Sequence, residues 1–485
     1  MKVSIIGLAT SLLASSVAAA PGCAGNISTG SFDMARKLVE FAFNVNDTSV
    51  WDELAEMTDL YGNRMTASVQ YARSADWVMR DVKNYPSITA WTENVPVDYW
   101  KRGTESVHLY VPTREDPMVS LPMLGLGQSV GTGPGGIEAN VIPVSSFEEL
   151  EKLGNATIAG NIVLYNADFV SYGDNSKYRF YGAQKAEAYG AVGALVQSIT
   201  GYSLVTPHTG TMDPSGIPAA AISVEDSKLI TRMYNRHQQA KANPSMHNAD
   251  LFVAPKVKLV MNAQNHVNHT MQPNIIMDIK GSEKPEEIVI ISGHFDSWDV
   301  GVGAMDDGAG AFCSYGALKM ISRLPRRPKR TVRVVMWNNE ESFSRGADGY
   351  FEAHKNELDN HVFAMESDIG NFEPWGMQVN APQEYVDKLS AYGQLLLPSI
   401  GGGNVTRVDD EPAVDISPLC SYGIPCGGFE PVDKYSHAPP LSPAGYEGYF
   451  RFHHTDADRM DALDKHQLRR NAAAMAVWAY VIADE

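Results

Sequence analysis

The sequence predicts an α/β protein, a mixed central sheet flanked by helices with a second, β-rich domain inserted into it. Three observations carry this. Apolar runs of strand length recur at 288–291, 331–337 and 362–365, each ending in polar or Gly-rich residues, and after the first of them Ala309 to Met320 reads as a helix, the texture of buried strands in an α/β sheet. Between about residues 113 and 261 the texture changes to Gly- and Pro-rich turns with short strands. Finally, 485 residues are more than one ordinary core accommodates, so two or more domains are expected.

Taken in order, residues 1–20 combine one Lys, an apolar centre and small residues up to Ala20, the pattern of a secretory signal peptide cleaved near Ala19 or Ala20. No later run reaches the roughly 18 consecutive apolar residues of a membrane helix, so the mature chain is expected to be soluble and secreted or lumenal, in the ER, Golgi or lysosome. Asn-x-Ser/Thr sites at Asn26, Asn46, Asn155, Asn268 and Asn404 suit that compartment. Residues 32–43 and 65–82 carry apolar positions at helical spacing, and alternation at 95–100 and 106–110 predicts strands. Strand-like runs at 160–165, 191–197 and 216–224, with helices at 178–189 and 225–236, fill the inserted segment. Polar residues 262–274 then lead back to a strand at 275–279. The main domain is thus expected to comprise 21–112, including any propeptide, and 262–485, with 113–261 as the insert. The basic run Pro325-Arg-Arg-Pro-Lys-Arg330 falls where a helix-to-strand loop is needed and reads as one.

A net charge of −18 argues against nucleic acid or an anionic membrane as partner, since both demand basic surface. The chemistry collects at strand ends, where α/β sheets bind ligands. His294 and Asp296 end the first apolar run; Asp306-Asp307-Gly308 opens the helix that follows; Asn338-Asn-Glu-Glu341 ends the second run, Asp368 the third, and His454 precedes a final helix at 465–482. Imidazoles and carboxylates from successive junctions make a metal site, with Glu340 left over as a base. His208, His266, His269, His437 and His453 read as ordinary polar residues, and Cys313 as a small buried apolar side chain. Cys420 and Cys426 enclose a turn-rich segment that either closes a small disulfide loop or leaves two buried thiols. A rival signal is Gly127-Gln-Ser-Val-Gly131, which matches a serine-hydrolase elbow around Ser129. That motif needs an immediate helix, which Thr132-Gly-Pro-Gly-Gly136 does not favour.

The order His-x-Asp, Asp-Asp-Gly, Glu-Glu, Asp-x-Gly and His-Thr resembles peptidase family M28, whose members include two-zinc aminopeptidases and carboxypeptidases with a zinc exopeptidase fold. The inserted segment resembles the protease-associated domain of several peptidases. The resemblance implies that Asp306 bridges two Zn2+ ions, that His294 and Asp368 complete one metal site and Glu341 with His454 the other, and that Glu340 is the general base. It further implies that Asp296 hydrogen-bonds a ligand histidine, that the Asp306–Asp307 peptide is cis, and that the protein is a homodimer cleaving short unblocked peptides, dipeptides foremost, as a carboxypeptidase or dipeptidase. Relatives read Thr after the equivalent of Asp458 where this chain has Arg459, and the loop 430–449, with four prolines, looks long for the family. Two further alternatives are a non-catalytic binding protein on the same fold and a mono-zinc glutaminyl cyclase.

Overall fold

The computed structural model describes residues 27–201, 203–433 and 448–485, without the side chains of 266–269. The signal-peptide reading, Asn26 and His437 lie outside the described residues. The strands are β1 (Thr89–Lys101), β2 (Glu105–Tyr110), β3 (Met118–Leu121), β4 (Met123–Gly125), β5 (Ile137–Val144), β6 (Ile162–Tyr165), β7 (Gly193–Gln197), β8 (Ala219–Ile222), β9 (Lys256–Met261), β10 (Gln264–Ile279), β11 (Lys284–His294), β12 (Arg330–Trp337), β13 (His361–Glu366), β14 (Glu373–Asn380), β15 (Asn404–Arg407) and β16 (Cys426–Val432). They form two mixed eight-stranded sheets, ordered β1-β10-β12-β11-β13-β16-β14-β15 and β3-β2-β9-β5-β6-β7-β8-β4.

The three apolar runs of the sequence become neighbours. β11 lies between β12 and β13, parallel to both, in a register that sets His294 beside Trp337 and Ser292 beside Glu366. Three carboxyl ends therefore open on one edge, and whatever follows each strand converges there. Val289, Ile290 and Ile291 are fully buried, as a parallel strand covered on both faces requires. The helices Ala309–Ser322 and Lys465–Asp484 pack on each other and on this sheet, and nearly every residue of both is buried. Among the described residues no helix is long and apolar enough to cross a membrane.

Several elements differ from the sequence reading. β10 begins at Gln264, not near 275, and pairs with β1 along nearly its whole length. Its polar first half hides a strand because backbone pairing to β1 stabilises it without a buried apolar face. β2 pairs with β3 and β9 in the second sheet, so residues 106–110 join the architecture that the sequence reading begins only at 113. The helix expected at 178–189 starts earlier, at Tyr172, capped by Ser171 Oγ accepting from Asp174 N. The basic loop does connect helix to β12, with Arg326 bound to Asp484 and Arg330 to Glu287.

Asn46, Asn155 and Asn404 are exposed, although Asn404 Nδ2 donates to Trp375 O, while Asn268 lies on β10. Cys420 and Cys426 are joined by a disulfide, with Cα atoms 5.8 Å apart, and Cys313 is a buried free thiol. Ser129 is fully buried; its Oγ accepts from Ala219 N and donates to Val130 O. The chain continues into β5, not a helix. Ser129 therefore serves the backbone of the second sheet, and the elbow reading is set aside.

The helix after Asp307 starts so close to the end of β13 that a Cβ on Gly310 would meet Ser367 O at 1.8 Å. Gly310→Ala is expected to destabilise by about 1–3 kcal/mol through overpacking. Gly173→Ala, whose Cβ would meet nothing within 4 Å, should change stability by less than about 1 kcal/mol and in the stabilising direction. Urea unfolding midpoints of the two variants check the contrast; equal shifts would refute the tight junction.

Candidate metal centre

β11 delivers His294 fully buried. Its Nδ1–H donates to Asp296 O at 3.0 Å, which fixes the tautomer and turns Nε2 toward Asp306 Oδ1 at 3.1 Å and Asp368 Oδ1 at 3.3 Å. Asp306 lies on a kinked turn, Ala304–Gly308, and the Asp306–Asp307 peptide is cis. The turn is clamped from two sides. Asp458 accepts from Met305 N at 2.6 Å and from Asp306 N at 3.1 Å, and Asp307 accepts from His294 N and Gly310 N. Arg64, fully buried, donates to Phe295 O, Val302 O and Gly303 O, holding the loop that links β11 to the turn.

The second oxygen of Asp306 faces the other histidines. Its Oδ2 is 3.4 Å from His454 Nε2 and 3.6 Å from His453 Nε2, while Glu341 Oε2 is 2.9 Å from His454 Nε2. The two imidazoles stack with centroids 3.5 Å apart. His454 occupies the left-handed region, φ 62°, a conformation that persists only where surroundings over-determine it. Here Thr209 O accepts from His454 Nδ1, Trp298 packs against the ring, and Trp298 N donates to Glu341 Oε1. His294, Asp306 and Asp368 thus form one group of converging donor atoms, and Asp306, His453 and His454 a second, with Glu341 against it.

Glu340 stands over the first group, its Oε2 3.9 Å from His294 Nε2 and its side chain 17% exposed. Asp296 corrects one expectation. Its carboxylate is 3.8 Å from His294 Nδ1 and instead accepts from Glu340 N and Glu341 N. The turn after β12 presents those two N–H groups to the anion, so Asp296 orients the glutamates with its side chain and the histidine with its main chain.

Burial raises Glu340 and Glu341 well above the ordinary carboxyl range, with neighbouring carboxylates adding to the effect. Burial would raise Asp306 too, but His453, His294 and His454 outweigh it and hold the carboxyl below its usual value. Burial pushes His453 down to about 3 and His454 well below its ordinary value, so both rings are neutral, as metal ligation demands. Buried Asp306 Oδ2 and Asp368 Oδ1 have no hydrogen-bond partner. Burial would lower His294, but Asp368 and Asp306 outweigh it and raise the ring well above its ordinary value. The neutral rings of His453 and His454, the carboxylates around His294 and the inward oxygens without hydrogen-bond partners together fit divalent cations such as zinc.

The centre opens into a cavity of about 270 Å³. Tyr172 and Arg179, from the helix Tyr172–Glu187, line it, along with Phe450 and Tyr449. Arg179 is its one lysine or arginine among the described lining residues. Its Nη1 donates to Tyr172 OH at 2.8 Å and lies 3.5 Å from His454 Nδ1, and its buried Nε has no partner. His208 Nε2 and Phe450 O are 2.9 Å apart, tying that wall to the second sheet. The sequence reading missed Arg179, Tyr172 and Asp458, and it set aside His208 and His453. Only His453 had a local signal, adjacency to His454. His266 and His269 lie on β10.

The fold and this centre define a peptidase: the chain belongs to peptidase family M28, whose sequence pattern matches residues 274–479. It is similar to carboxypeptidase Q of Xenopus laevis, 37% identical over 93% of this chain and 90% of that protein. The crystal structure of a peptidase M28 precursor from Shewanella amazonensis superposes with a TM-score of 0.82 at 27% identity, covering 94% of this chain and 97% of that one. BSAP, a zinc aminopeptidase from Bacillus subtilis, shares the fold, with a TM-score of 0.62 at 18% identity over 88% of this chain and 94% of that one.

Zinc added to metal-free protein is expected to raise its thermal midpoint, since a ligand at 1,000 times its Kd stabilises by about 4 kcal/mol. Asp306→Asn should lose most of that gain. Scanning calorimetry with and without zinc checks it, and an unchanged midpoint in the unmutated protein would refute the centre.

Proposed function

We propose that the protein is a two-zinc exopeptidase that hydrolyses short peptides with free termini, dipeptides foremost, by carboxypeptidase or dipeptidase action. One ion would be held by His294, Asp368 and Asp306 Oδ1, the other by His454, Glu341 and Asp306 Oδ2. The observation that carries the reading is the position of Asp306, whose two oxygens face separate donor groups. When bound, such a pair supplies Lewis-acid charge that makes a water molecule acidic enough to attack near neutral pH and stabilises the oxyanion that forms.

The chain's own residues do the rest. Glu340, raised by burial and partly exposed to the cavity, accepts the proton of the attacking water and returns it to the leaving amine. Asp296 fixes Glu340 through its main-chain N–H, so the base meets the cavity in one orientation. Arg179 pairs its guanidinium with the substrate's terminal carboxylate, a charge-assisted contact on the side of His454. Tyr172, stacked on Phe450 with centroids 4.8 Å apart, walls that side and limits water. This pairing favours cleavage next to a free carboxyl end. A binding-only role is not favoured, because the donor set is complete and the base stands beside it.

The second sheet with its helices is read as a protease-associated insert, 113–261, to which β2 adds a strand. The protein is read as secreted or lumenal and homodimeric, like the family it resembles.

Glu340→Gln is expected to retain zinc while kcat on dipeptides falls about 10²–10⁴-fold; near-normal turnover would remove Glu340 from the mechanism. Arg179→Ala should lower kcat/KM about 10²-fold on dipeptides and much less on dipeptide amides, in line with about 1.5–3 kcal/mol for a charged hydrogen bond. Equal losses on acids and amides would refute carboxylate recognition.

A further inference from the structure

Beside the catalytic cavity lies a second one of about 330 Å³, within the size range of small-ligand pockets. The two share Asp368, Ile369 and Val414 in their walls, so a substrate lying against Asp368 has the second cavity at its flank. Its polar lining is acidic: Glu366, Glu411 and Glu430 join Asp368, and among the described lining residues there is no lysine or arginine. Its apolar lining includes Phe429, Pro412 and Val414.

Two of the acids are tethered from behind. Glu430 accepts from Gln378 Nε2 at 2.9 Å, and Glu411 accepts from Ser421 Oγ. Glu366 is different. It is fully buried, its Oε2 accepts from Ile416 N at 3.0 Å, and its Oε1 has no hydrogen-bond partner. Asp415, next to Ile416 in the chain, is 1% exposed with both carboxylate oxygens unpartnered, although it does not line the cavity itself. Buried carboxylate oxygens without donors are costly, and the metal centre, already furnished with its own donors, does not use these.

We propose that this acidic cavity is a specificity pocket for a cationic side chain, lysine or arginine, on the residue whose carbonyl is attacked. The inference rests on the exopeptidase reading above. Methylenes lie along Val414 and Phe429 while the ammonium or guanidinium head reaches the carboxylates, the division that long basic side chains favour. Arg179 and the acidic cavity then sort the two halves of a dipeptide by charge: the carboxylate end to the guanidinium, the basic side chain to the acids.

Lysine and norleucine share a four-carbon side chain to which lysine adds a terminal ammonium, and both carry a free α-amino group, so their comparison reads the side-chain charge. Calorimetric titration of zinc-loaded protein with free L-lysine and L-norleucine should show lysine binding about tenfold more tightly. The kcat/KM for Lys-Ala should exceed that for Nle-Ala by a similar factor. In Glu411→Gln and Glu430→Gln both ratios should fall toward one. Equal binding and equal kcat/KM for the pair, or ratios unmoved by both substitutions, would overturn the pocket. A lysine preference in calorimetry with no hydrolysis of either dipeptide would uphold the pocket and overturn the peptidase reading.

Discussion

The structure depends on how it tolerates buried negative charge at one sheet edge. Asp296, Asp306, Asp307, Glu341, Glu366, Asp415 and Asp458 are all 5% exposed or less, and an unpaired buried carboxylate costs several kcal/mol. Three devices offset this. Main-chain N–H groups serve Asp296, Asp307 and Asp458. Arg64, buried against the loop after β11, lies within electrostatic reach of Asp458, Asp307, Asp296 and Asp306. What remains is directed inward: Asp306 Oδ2 and Asp368 Oδ1 face the centre, and Glu366 belongs to the neighbouring acidic cavity. The first two devices build a rigid frame, and the third leaves charge for something that binds.

That frame explains why the glutamates and the histidines behave as a unit. Asp296 bonds the N–H groups of both Glu340 and Glu341, and its main-chain oxygen receives His294 Nδ1. The turn bearing Asp306 is held by Asp458, only four residues beyond His454. A substitution in one of these connectors would displace donors on two strand ends at once. The second sheet closes the arrangement, since Thr209, His208 and Arg179 all reach the 450–454 segment. The cavity wall that carries Arg179 and the orientation of His454 are therefore built from the same few side chains.

Much of this was legible in the sequence. Apolar runs ending in polar or Gly-rich residues point to the three central strands, and the residues just past them point to His294, Asp306, Glu340, Glu341 and Asp368 as neighbours, because a parallel sheet must gather its carboxyl ends. What was not legible came from distance or from the main chain. Arg179 is 275 residues from His454 and carries no motif. The family pattern implies a side-chain bond from Asp296 to a ligand histidine, and the backbone oxygen of Asp296 makes the bond to His294 instead. Asp458 stands out in the sequence only as the residue before a departure from the family pattern, yet its carboxylate grips the turn around Asp306. The first half of β10 escaped notice because its partner β1, rather than an apolar face, specifies it.

The most direct test of the account is anomalous diffraction at the zinc edge from crystals grown with zinc. The account predicts two peaks, one on each side of the Asp306 carboxylate, the first against His294 and Asp368 and the second against His454 and Glu341. A single peak, or peaks that leave Asp306 without contact, would contradict it.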